Sequence, residues 1–179
     1  MRFGVTLTCV LGLLLGFDRG HAQDASPSEY QVKAAFIFNF VKFIEWPPNA
    51  FAEPDEPMCV GILGENPFGQ NLSGILRDKT INNRHVIVKE FRTIAEAKSC
   101  QVLFVSASES KRMTEILREL STTNILTISE TEEFIPSGGM INFFYEGTRI
   151  RFQINDQAAK NSGLKIASKL LELGRKPAT

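Results

Sequence analysis

Three short apolar segments, separated by stretches with helical features, restrict the fold of this chain more than any other feature of its sequence. They are residues 58–63, 101–105 and 125–128. Continuous apolar runs of this length are typical of strands that are buried on both faces of a sheet, and helices between such strands indicate parallel βαβ units. Residues 84–90 alternate apolar and polar side chains over part of their length, which predicts a fourth strand near an edge.

The C-terminal part of the chain has a different pattern. Residues 140–145 and 148–154 flank a Glu-Gly pair that is typical of a β-hairpin turn, and one last helix is predicted over residues 155–174. The sequence therefore predicts an α/β fold: a three-layer sandwich with a mainly parallel sheet of about four strands, extended by a C-terminal antiparallel hairpin, with helices on both faces. In a doubly wound strand order, the first and third strands along the chain, over residues 58–63 and 101–105, are neighbours.

The first predicted helix is unusually apolar. It begins with a capping box at residues 26–29 and runs to residue 44 or 45, where two prolines follow. Apolar side chains cover well over half of its circumference, whereas a surface helix needs an apolar stripe of only about 100°. Two interpretations follow: either both apolar faces are buried within the domain, or one faces the core and the other faces a partner.

On the second interpretation, a partner or dimer face includes apolar residues of the first and last helices. These residues are Phe36, Phe38, Phe40, Trp46, Leu164 and Leu171. Apolar surface beyond what a core needs is typical of proteins that associate, so we expect a homodimer or a complex with another protein.

The N-terminal segment has the features of a secretory signal peptide. One arginine precedes a run of about 15 uncharged, mostly apolar residues, and small residues occupy positions −3 and −1 of a cleavage site after Ala22. The run is short for a membrane span, which needs about 20 residues, although an uncleaved anchor is the alternative. We expect residues 1–22 to be removed and residues 23–179 to form a single exported domain.

Only two cysteines, Cys59 and Cys100, remain after removal of that segment. In an oxidising compartment, two cysteines suggest one disulfide bond, while two buried free thiols are the alternative. In the doubly wound order, both cysteines lie at matching ends of adjacent strands, which is compatible with the reach of a disulfide bond.

Composition argues against several classes of function. Lys and Arg together number 20, as do Asp and Glu, so the chain has no basic surplus for nucleic acid. Only His85 remains after the signal peptide and no Gly-x-Ser-x-Gly motif is present, which argues against a serine hydrolase. We therefore expect no catalytic site, no metal and no cofactor. The acidic residues Glu130, Glu132 and Glu133 are interpreted as complementing the start of a helix.

The alternative function is binding of a small ligand by loops that follow the strands. The candidate residues are Asn66, Phe68, Ser106, Ser108, Arg149 and Arg151. Loops at the carboxyl ends of parallel strands form ligand sites in doubly wound sheets, and paired arginines bind carboxylates or phosphates. Turn formation, helix capping and a solvated hairpin face are the alternatives at these positions.

Several segments together resemble the YfiR family of periplasmic proteins. They are residues 30–36 (YQVKAAF), 39–47 (NFVKFIEWP), 59–64 (CVGILG), 66–69 (NPFG), 100–106 (CQVLFVS), 125–129 (ILTIS), 138–143 (GGMINF) and 151–155 (RFQIN). Their order and spacing resemble the family over nearly all of residues 29–174.

The resemblance implies a periplasmic regulator that is not an enzyme. The type member of the family represses an inner-membrane diguanylate cyclase by binding the periplasmic sensor domain of that enzyme, which lowers cyclic di-GMP and biofilm formation. The resemblance also implies that Cys59 and Cys100 are disulfide-bonded. The type member has a second cysteine pair near the hairpin, whereas this chain has no cysteine after Cys100, so redox control through that pair does not carry over.

Overall fold

The computed structural model describes residues 27–177, so the predicted signal peptide lies outside the described residues. The strands are β1 (Ile44–Glu45), β2 (Met58–Leu63), β3 (Thr80–Ile81), β4 (Arg84–Phe91), β5 (Val102–Val105), β6 (Leu126–Ser129), β7 (Ile141–Glu146), β8 (Arg149–Ile154) and β9 (Lys165–Ile166). The helices are α1 (Glu29–Val41), α2 (Asn71–Leu76), α3 (Ile94–Ala97), α4 (Met113–Leu120), α5 (Asp156–Asn161) and α6 (Ser168–Leu173). Short 3-10 helices cover Pro48–Ala50 and Ala107–Arg112.

Seven strands form one sheet in the order β3-β4-β2-β5-β6-β7-β8. The five central strands are parallel, and β3 and β8 pair antiparallel at the two edges. The predicted α/β fold and the hairpin are confirmed, and so is the neighbouring position of the first and third predicted strands, since β2 pairs with β5. The sequence pattern does not predict the short β3, which covers part of the outer edge of β4.

Helices cover both faces of the sheet, so the sheet is the middle layer of three. On one face, α1 and α2 pack in a core cluster that includes Ile37 and Phe104. On the other face, α3 and α4 pack in a second cluster that includes Leu103 and Ile116. The adjacent β5 residues Leu103 and Phe104 point to opposite faces, and both faces are buried, which explains the continuous apolar runs.

The first helix is shorter at both ends than predicted. Its N-cap is Ser28, whose hydroxyl accepts a hydrogen bond from Gln31 N, while the Gln31 side chain accepts one from Ser28 N. Ser26, the predicted cap, lies outside the described residues. The helix ends at Val41 because the following residues leave it to form β1, which pairs antiparallel with β9.

The single last helix predicted over residues 155–174 is wrong, because β9 separates α5 from α6. Asn155 caps α5 as expected, with its side chain accepting a hydrogen bond from Ala158 N at 3.1 Å. Gly163 then adopts a left-handed φ of +73°, a conformation that favours glycine and ends helices. The chain leaves the helix there, and the next residue, Leu164, is buried in the core.

Cys59 and Cys100 form the predicted disulfide bond, with their Cα atoms 4.7 Å apart. Cys59 lies in β2 and Cys100 shortly before β5, so the bond joins two paired central strands. Gln101 adds to this connection: its Oε1 accepts a hydrogen bond from Cys59 N at 2.9 Å, and its Nε2 donates to Ala50 O at 3.1 Å. The bond is therefore part of a buried structural junction.

Candidate functional site

One side of α1 faces the core, while other positions keep aromatic surface partly exposed. Phe36 and Phe38 are both half-buried, and Lys42 Nζ lies 4.0 Å from the centre of the Phe38 ring. Phe36 borders an apolar groove of about 630 Å³ between α1 and α2. Trp46, which follows β1, is also half-buried. Three of the residues predicted for a partner face therefore retain exposed aromatic surface.

Two other residues predicted for that face belong to the core. Phe40 is 1% exposed and packs against Phe143 and Phe152, with ring centres 5.6 and 4.7 Å away. Leu164, between α5 and β9, is also 1% exposed. Because they are buried, Phe40 and Leu164 are core residues and not part of a partner face. The prediction failed because a wide apolar circumference shows how apolar a helix is but not which side faces the sheet.

The end of α6 adds exposed apolar surface. Leu171, predicted for the partner face, is half-buried and lines a cleft of about 620 Å³. Leu173, 66% exposed, and Tyr145, 53% exposed, are the large apolar residues with the most exposure in the described part of the chain. No sequence pattern distinguished these two residues from their buried neighbours.

The loops after β2 and β5 meet in a cleft of about 720 Å³ at the carboxyl ends of the parallel strands. Asn66 and Ser108, two predicted ligand residues, both line it. Asn66 Nδ2 donates to Glu90 Oε1 at 2.7 Å, and Ser108 Oγ accepts a hydrogen bond from Glu65 N at 2.9 Å. Ser106 Oγ accepts one from Ser108 N, which is helix capping. The polar groups of these loops therefore bond to one another and to Glu90 of β4.

Phe68, another predicted ligand residue, is a core residue. It is 1% exposed, and its ring meets Phe104 and Tyr30 edge to face, with centres 4.8 and 5.3 Å apart. The turn after β2 directs this ring inward because burial of a phenyl group is favourable. Its assignment to a ligand loop is corrected accordingly.

Arg149 and Arg151 are exposed on β8, at the edge of the sheet opposite β3. Arg151 Nε lies 3.3 Å from Glu146 Oε2, and Glu146 is also the register partner of Arg149 in the hairpin. The structure therefore separates the two arginines from Asn66 and Ser108 and places a carboxylate of the same hairpin beside them.

A polar cluster that the sequence patterns did not predict is centred on Lys33, which is 3% exposed within the apolar α1. Its Nζ forms ion pairs with Glu29, one turn earlier, and with Glu130, which directly follows β6. Tyr30 donates its hydroxyl hydrogen to the other Glu130 oxygen at 3.1 Å. Glu130 thus does not complement a helix start as predicted, and residues 132–138 form turns instead.

Aromatic rings complete the surroundings of the Lys33 ammonium group. Its nitrogen lies 4.9 Å from the centre of the Tyr30 ring, 5.7 Å from that of Tyr145 and 6.0 Å from that of Phe143. The negative face of an aromatic ring attracts a cation. Two carboxylates and three rings thus replace the water that this lysine loses on burial.

A cavity of about 510 Å³ lies beside this cluster, and we name it the Lys33 cavity. Its lining residues are Glu29, Tyr30, Lys33, Glu130, Glu132, Asn142, Phe143, Phe144 and Tyr145. With three glutamates and one lysine, the lining has a formal charge of 1 − 3 = −2. Asn142 is 3% exposed, and its Oδ1 has no hydrogen-bond partner among the described residues.

Hydrogen bonds and burial shift the pKa values of three groups in this cluster. The hydrogen bond with Lys33 holds the pKa of Glu29 below its usual value. Burial raises the pKa of Tyr30 to about 12, and the negative charge of Glu130 acts in the same direction. A hydrogen bond to Glu29 raises the pKa of Tyr145. At neutral pH, Glu29 is therefore ionised and both tyrosines keep their protons.

Comparison with known protein families matches residues 30–175 of the chain to the YfiR/HmsC-like family. The chain belongs to this family. The matched range covers the whole seven-stranded sheet, both bonded cysteines and, apart from Glu29, every residue that lines the Lys33 cavity. The family resemblance expected from the sequence is thus confirmed.

Membership gives the general role of the protein. YfiR/HmsC-like proteins are periplasmic, and the family suggests a regulator of diguanylate cyclase signalling and not a catalyst. Within residues 27–177, no group of three or more His, Cys, Asp or Glu side chains is placed to hold a metal ion. Over the same residues, no helix combines the length and apolar character that a membrane span requires.

The YfiR/HmsC-like chain has two tyrosines, Tyr30 and Tyr145, and both line the Lys33 cavity. We expect both tyrosines of the folded protein to titrate above the ordinary pKa of 10.0, with Tyr30 titrating near pH 12. Because the folded state raises these pKa values, the neutral phenols stabilise it below pH 10, and this contribution is lost as the pH rises toward 12.

A stopped-flow pH jump, read in the near ultraviolet before the protein unfolds, measures this titration. Denatured protein is the control and is expected to titrate near the ordinary value of 10.0. Tyr30→Phe is expected to remove the higher of the two transitions. Ordinary titration of both tyrosines in the folded protein would contradict the cluster described above.

Proposed function

We propose that this protein is a periplasmic regulator without enzymatic activity, which represses a membrane-bound diguanylate cyclase by binding its periplasmic sensor domain. Binding lowers cyclic di-GMP and, through it, biofilm formation. The observation that carries this proposal is the family match over residues 30–175. The proposal includes a signal peptide over residues 1–22, cleaved near Ala22, and a single mature domain over residues 23–179.

The cysteines support the periplasmic location. Disulfide bonds persist in oxidising compartments and are rare in the reducing cytosol. Cys59 and Cys100 are bonded and only 4% and 3% exposed, so reductants have little access to them. We accordingly assign this bond a structural role and base no redox control on it.

We assign the contact with the sensor domain to the surface around the end of α1. Pairing of β1 with β9 brings this region beside the start of α6, where Ala167 N donates a hydrogen bond to Phe43 O at 2.9 Å. We assign the partly exposed residues Phe38, Trp46 and Leu171 to this surface. Large aromatic side chains are typical anchors of protein interfaces.

A homodimer belongs to the same proposal. The apolar surface that we assign to the sensor domain is also suited to a second copy of the chain. Light scattering of the mature protein is expected to give twice the mass of one chain, and a strictly monomeric protein would contradict this part of the proposal.

Phe38 provides the sharpest test of the binding surface, because its ring is half-buried and carries the Lys42 ammonium group on its face. We expect Phe38→Ala to weaken binding to the sensor domain by at least about 10-fold, as the loss of an interface aromatic typically does. Phe51→Ala is the matched control, since Phe51 is also half-buried and carries the Arg84 guanidinium group 3.8 Å from its ring centre.

The experiment has a biochemical and a cellular measurement. Tagged mature protein is incubated with detergent-solubilised envelope, captured membrane proteins are identified by mass spectrometry, and the affinity of the captured sensor domain is measured for both variants. Deletion of the gene is expected to raise the cyclic di-GMP concentration. Expression of the wild type or of Phe51→Ala is expected to return it to the original low level, whereas expression of Phe38→Ala is not. Unchanged cyclic di-GMP after deletion, together with capture of no cyclase, would overturn the proposed function.

A further inference from the structure

We propose that the outer edge of β8 binds an extended segment of a partner protein in which acidic residues alternate with apolar ones. β8 is the last strand of the seven-stranded sheet, and its inner edge pairs with β7. The inference does not depend on the proposed function, which assigns the sensor domain to the surface around the end of α1. Either of the two can therefore fail while the other holds.

The backbone of β8 leaves hydrogen-bonding groups on its outer edge. In an antiparallel pair, successive residues direct their N–H and C=O groups alternately toward the partner strand and away from it. Arg175 shows which residues face away, because its N donates to Phe152 O and its O accepts from Ile154 N, both at 2.9 Å. Ile150 therefore directs its N–H and C=O to the same edge, where neither has a backbone partner within residues 27–177.

The edge already accepts extended chain at one end. Arg175 forms a single parallel bridge with Gln153, and Gly174 packs so closely that a Cβ atom on it would lie 2.7 Å from the Ile154 side chain. The chain before Gly174 is the helix α6, so the described residues pair with the outer edge only at Gln153. The part of the edge around Ile150 is thus available to a strand from another protein, a common mode of peptide recognition.

The charges beside this edge favour acidic residues in the added segment. Arg149 and Arg151 share one face of β8, because side chains alternate along a strand. The Arg175 guanidinium group lies 3.8 Å from Glu146, which also pairs with Arg151, so it belongs to the same face. Three exposed arginines meet one exposed glutamate here, which gives this face a positive charge. Acidic side chains of an added strand would lie beside these arginines.

The opposite face of the hairpin favours apolar residues in the segment. Ile150 is half-buried, and its register partner Tyr145 is 53% exposed. An apolar side chain placed beside Ile150 covers part of this surface, which is favourable. Because side chains of the added strand also alternate, its other residues lie on the arginine face. An alternating acidic and apolar sequence therefore matches both faces at once.

Charge argues against a second copy of this chain as the occupant. Two β8 strands paired with each other would bring Arg149 and Arg151 near the same arginines of the other copy, and like charges on neighbouring strands are destabilising. Charged residues on edge strands commonly prevent such self-association. The same charges attract an acidic segment, so this edge discriminates between its own copies and a partner of opposite charge.

The test uses the mature full-length protein and a dye-labelled synthetic peptide of about nine residues in which glutamate and valine alternate. Fluorescence anisotropy is expected to show saturable binding that weakens as salt rises. A peptide with lysine in place of glutamate is expected to bind at least about 10-fold more weakly. Amide hydrogen exchange of Ile150 is expected to slow when the glutamate peptide is bound. Absence of binding, or unchanged exchange of Ile150 in the complex, would overturn the proposal.

Two N-methylated peptides test whether the backbone pairs. In an extended chain, the N–H groups of the valines point to one side and those of the glutamates to the other. Only one set faces β8, so methylation of that set is expected to abolish binding, while methylation of the other set leaves it unchanged. Equal affinities of the two methylated peptides would contradict strand addition, because attraction between charges alone does not distinguish them.

Charge-reversal variants locate the site. The double variant Arg149→Glu, Arg151→Glu is expected to lower the affinity for the glutamate peptide at least about 10-fold and to raise that for the lysine peptide. Arg77→Glu, Arg118→Glu is the matched control, because both arginines are exposed, follow α2 or lie in α4, and change the net charge equally.

Two further outcomes would refute the proposal. Equal effects of the two double variants would show that only the net charge of the protein acts on the peptide. Slow exchange of the Ile150 amide without peptide, lost on dilution of the protein, would show that a second copy covers this edge.

Discussion

Replacing Glu130 with leucine is expected to lower the free energy of unfolding by about 3 kcal/mol. The side chains of Lys33 and Glu130 are 4% and 14% exposed, so the change leaves an ammonium group in the core with Glu29 as its remaining carboxylate partner. It also removes the acceptor of the Tyr30 hydroxyl group. A buried charge that loses one of its two carboxylate partners has less compensation for the water it lost on burial, so the folded state becomes less stable.

Two further variants show whether the loss comes from the weaker compensation of the Lys33 charge. The double variant Lys33→Met, Glu130→Leu is expected to regain most of the lost stability, because apolar replacement of both partners removes the cost of desolvation. Glu119→Leu breaks an exposed ion pair with Lys98, whose atoms are 3.3 Å apart, and is expected to cost less than about 1 kcal/mol. Urea denaturation measures all four proteins. Similar small losses for Glu130→Leu and Glu119→Leu would show that Lys33 does not depend on Glu130.

The sheet could be predicted because its signals are local. Each buried strand is a short continuous apolar run, and the helices between these strands require parallel connections. The last helix could not be predicted correctly, because the interaction that interrupts it joins Ile44 to Ile166, residues that are distant in sequence. Gly163, which adopts the left-handed conformation, is the one local signal that the predicted helix ends before β9. A glycine inside an otherwise helical pattern is only weak evidence for a helix end.

The candidate site was less predictable than the fold. Glu29 and Lys33 are four residues apart, a spacing that indicates an ion pair on one helix. The decisive partner, Glu130, lies 97 residues further along the chain, and only the tertiary fold brings it to Lys33. The apolar pattern likewise showed that α1 packs extensively, but the sheet alone determines that Phe40 is buried while Phe38 keeps exposed surface.

Removal of the Cys59–Cys100 bond, by replacing both residues with alanine, is expected to lower the free energy of unfolding by about 4 kcal/mol. The bond links residues 41 positions apart and so restricts the unfolded chain strongly. The native fold is expected to persist, because β2 and β5 stay paired and Gln101 still accepts the hydrogen bond from the backbone N–H of residue 59. A loss of this size is a large part of the roughly 5–15 kcal/mol that stabilises a typical domain.

Three urea titrations separate the effect of the bond from that of the side chains. Oxidised wild type is expected to be the most stable protein, while reduced wild type and the double alanine variant unfold at similar, lower urea concentrations. Reductant is expected to have no effect on the variant, which lacks both thiols. If oxidised and reduced wild type had equal stability, the bond would not restrict the unfolded chain. The structural role assigned to the bond would then be wrong, although the bond is buried. A redox function would become the better explanation for the presence of this cysteine pair.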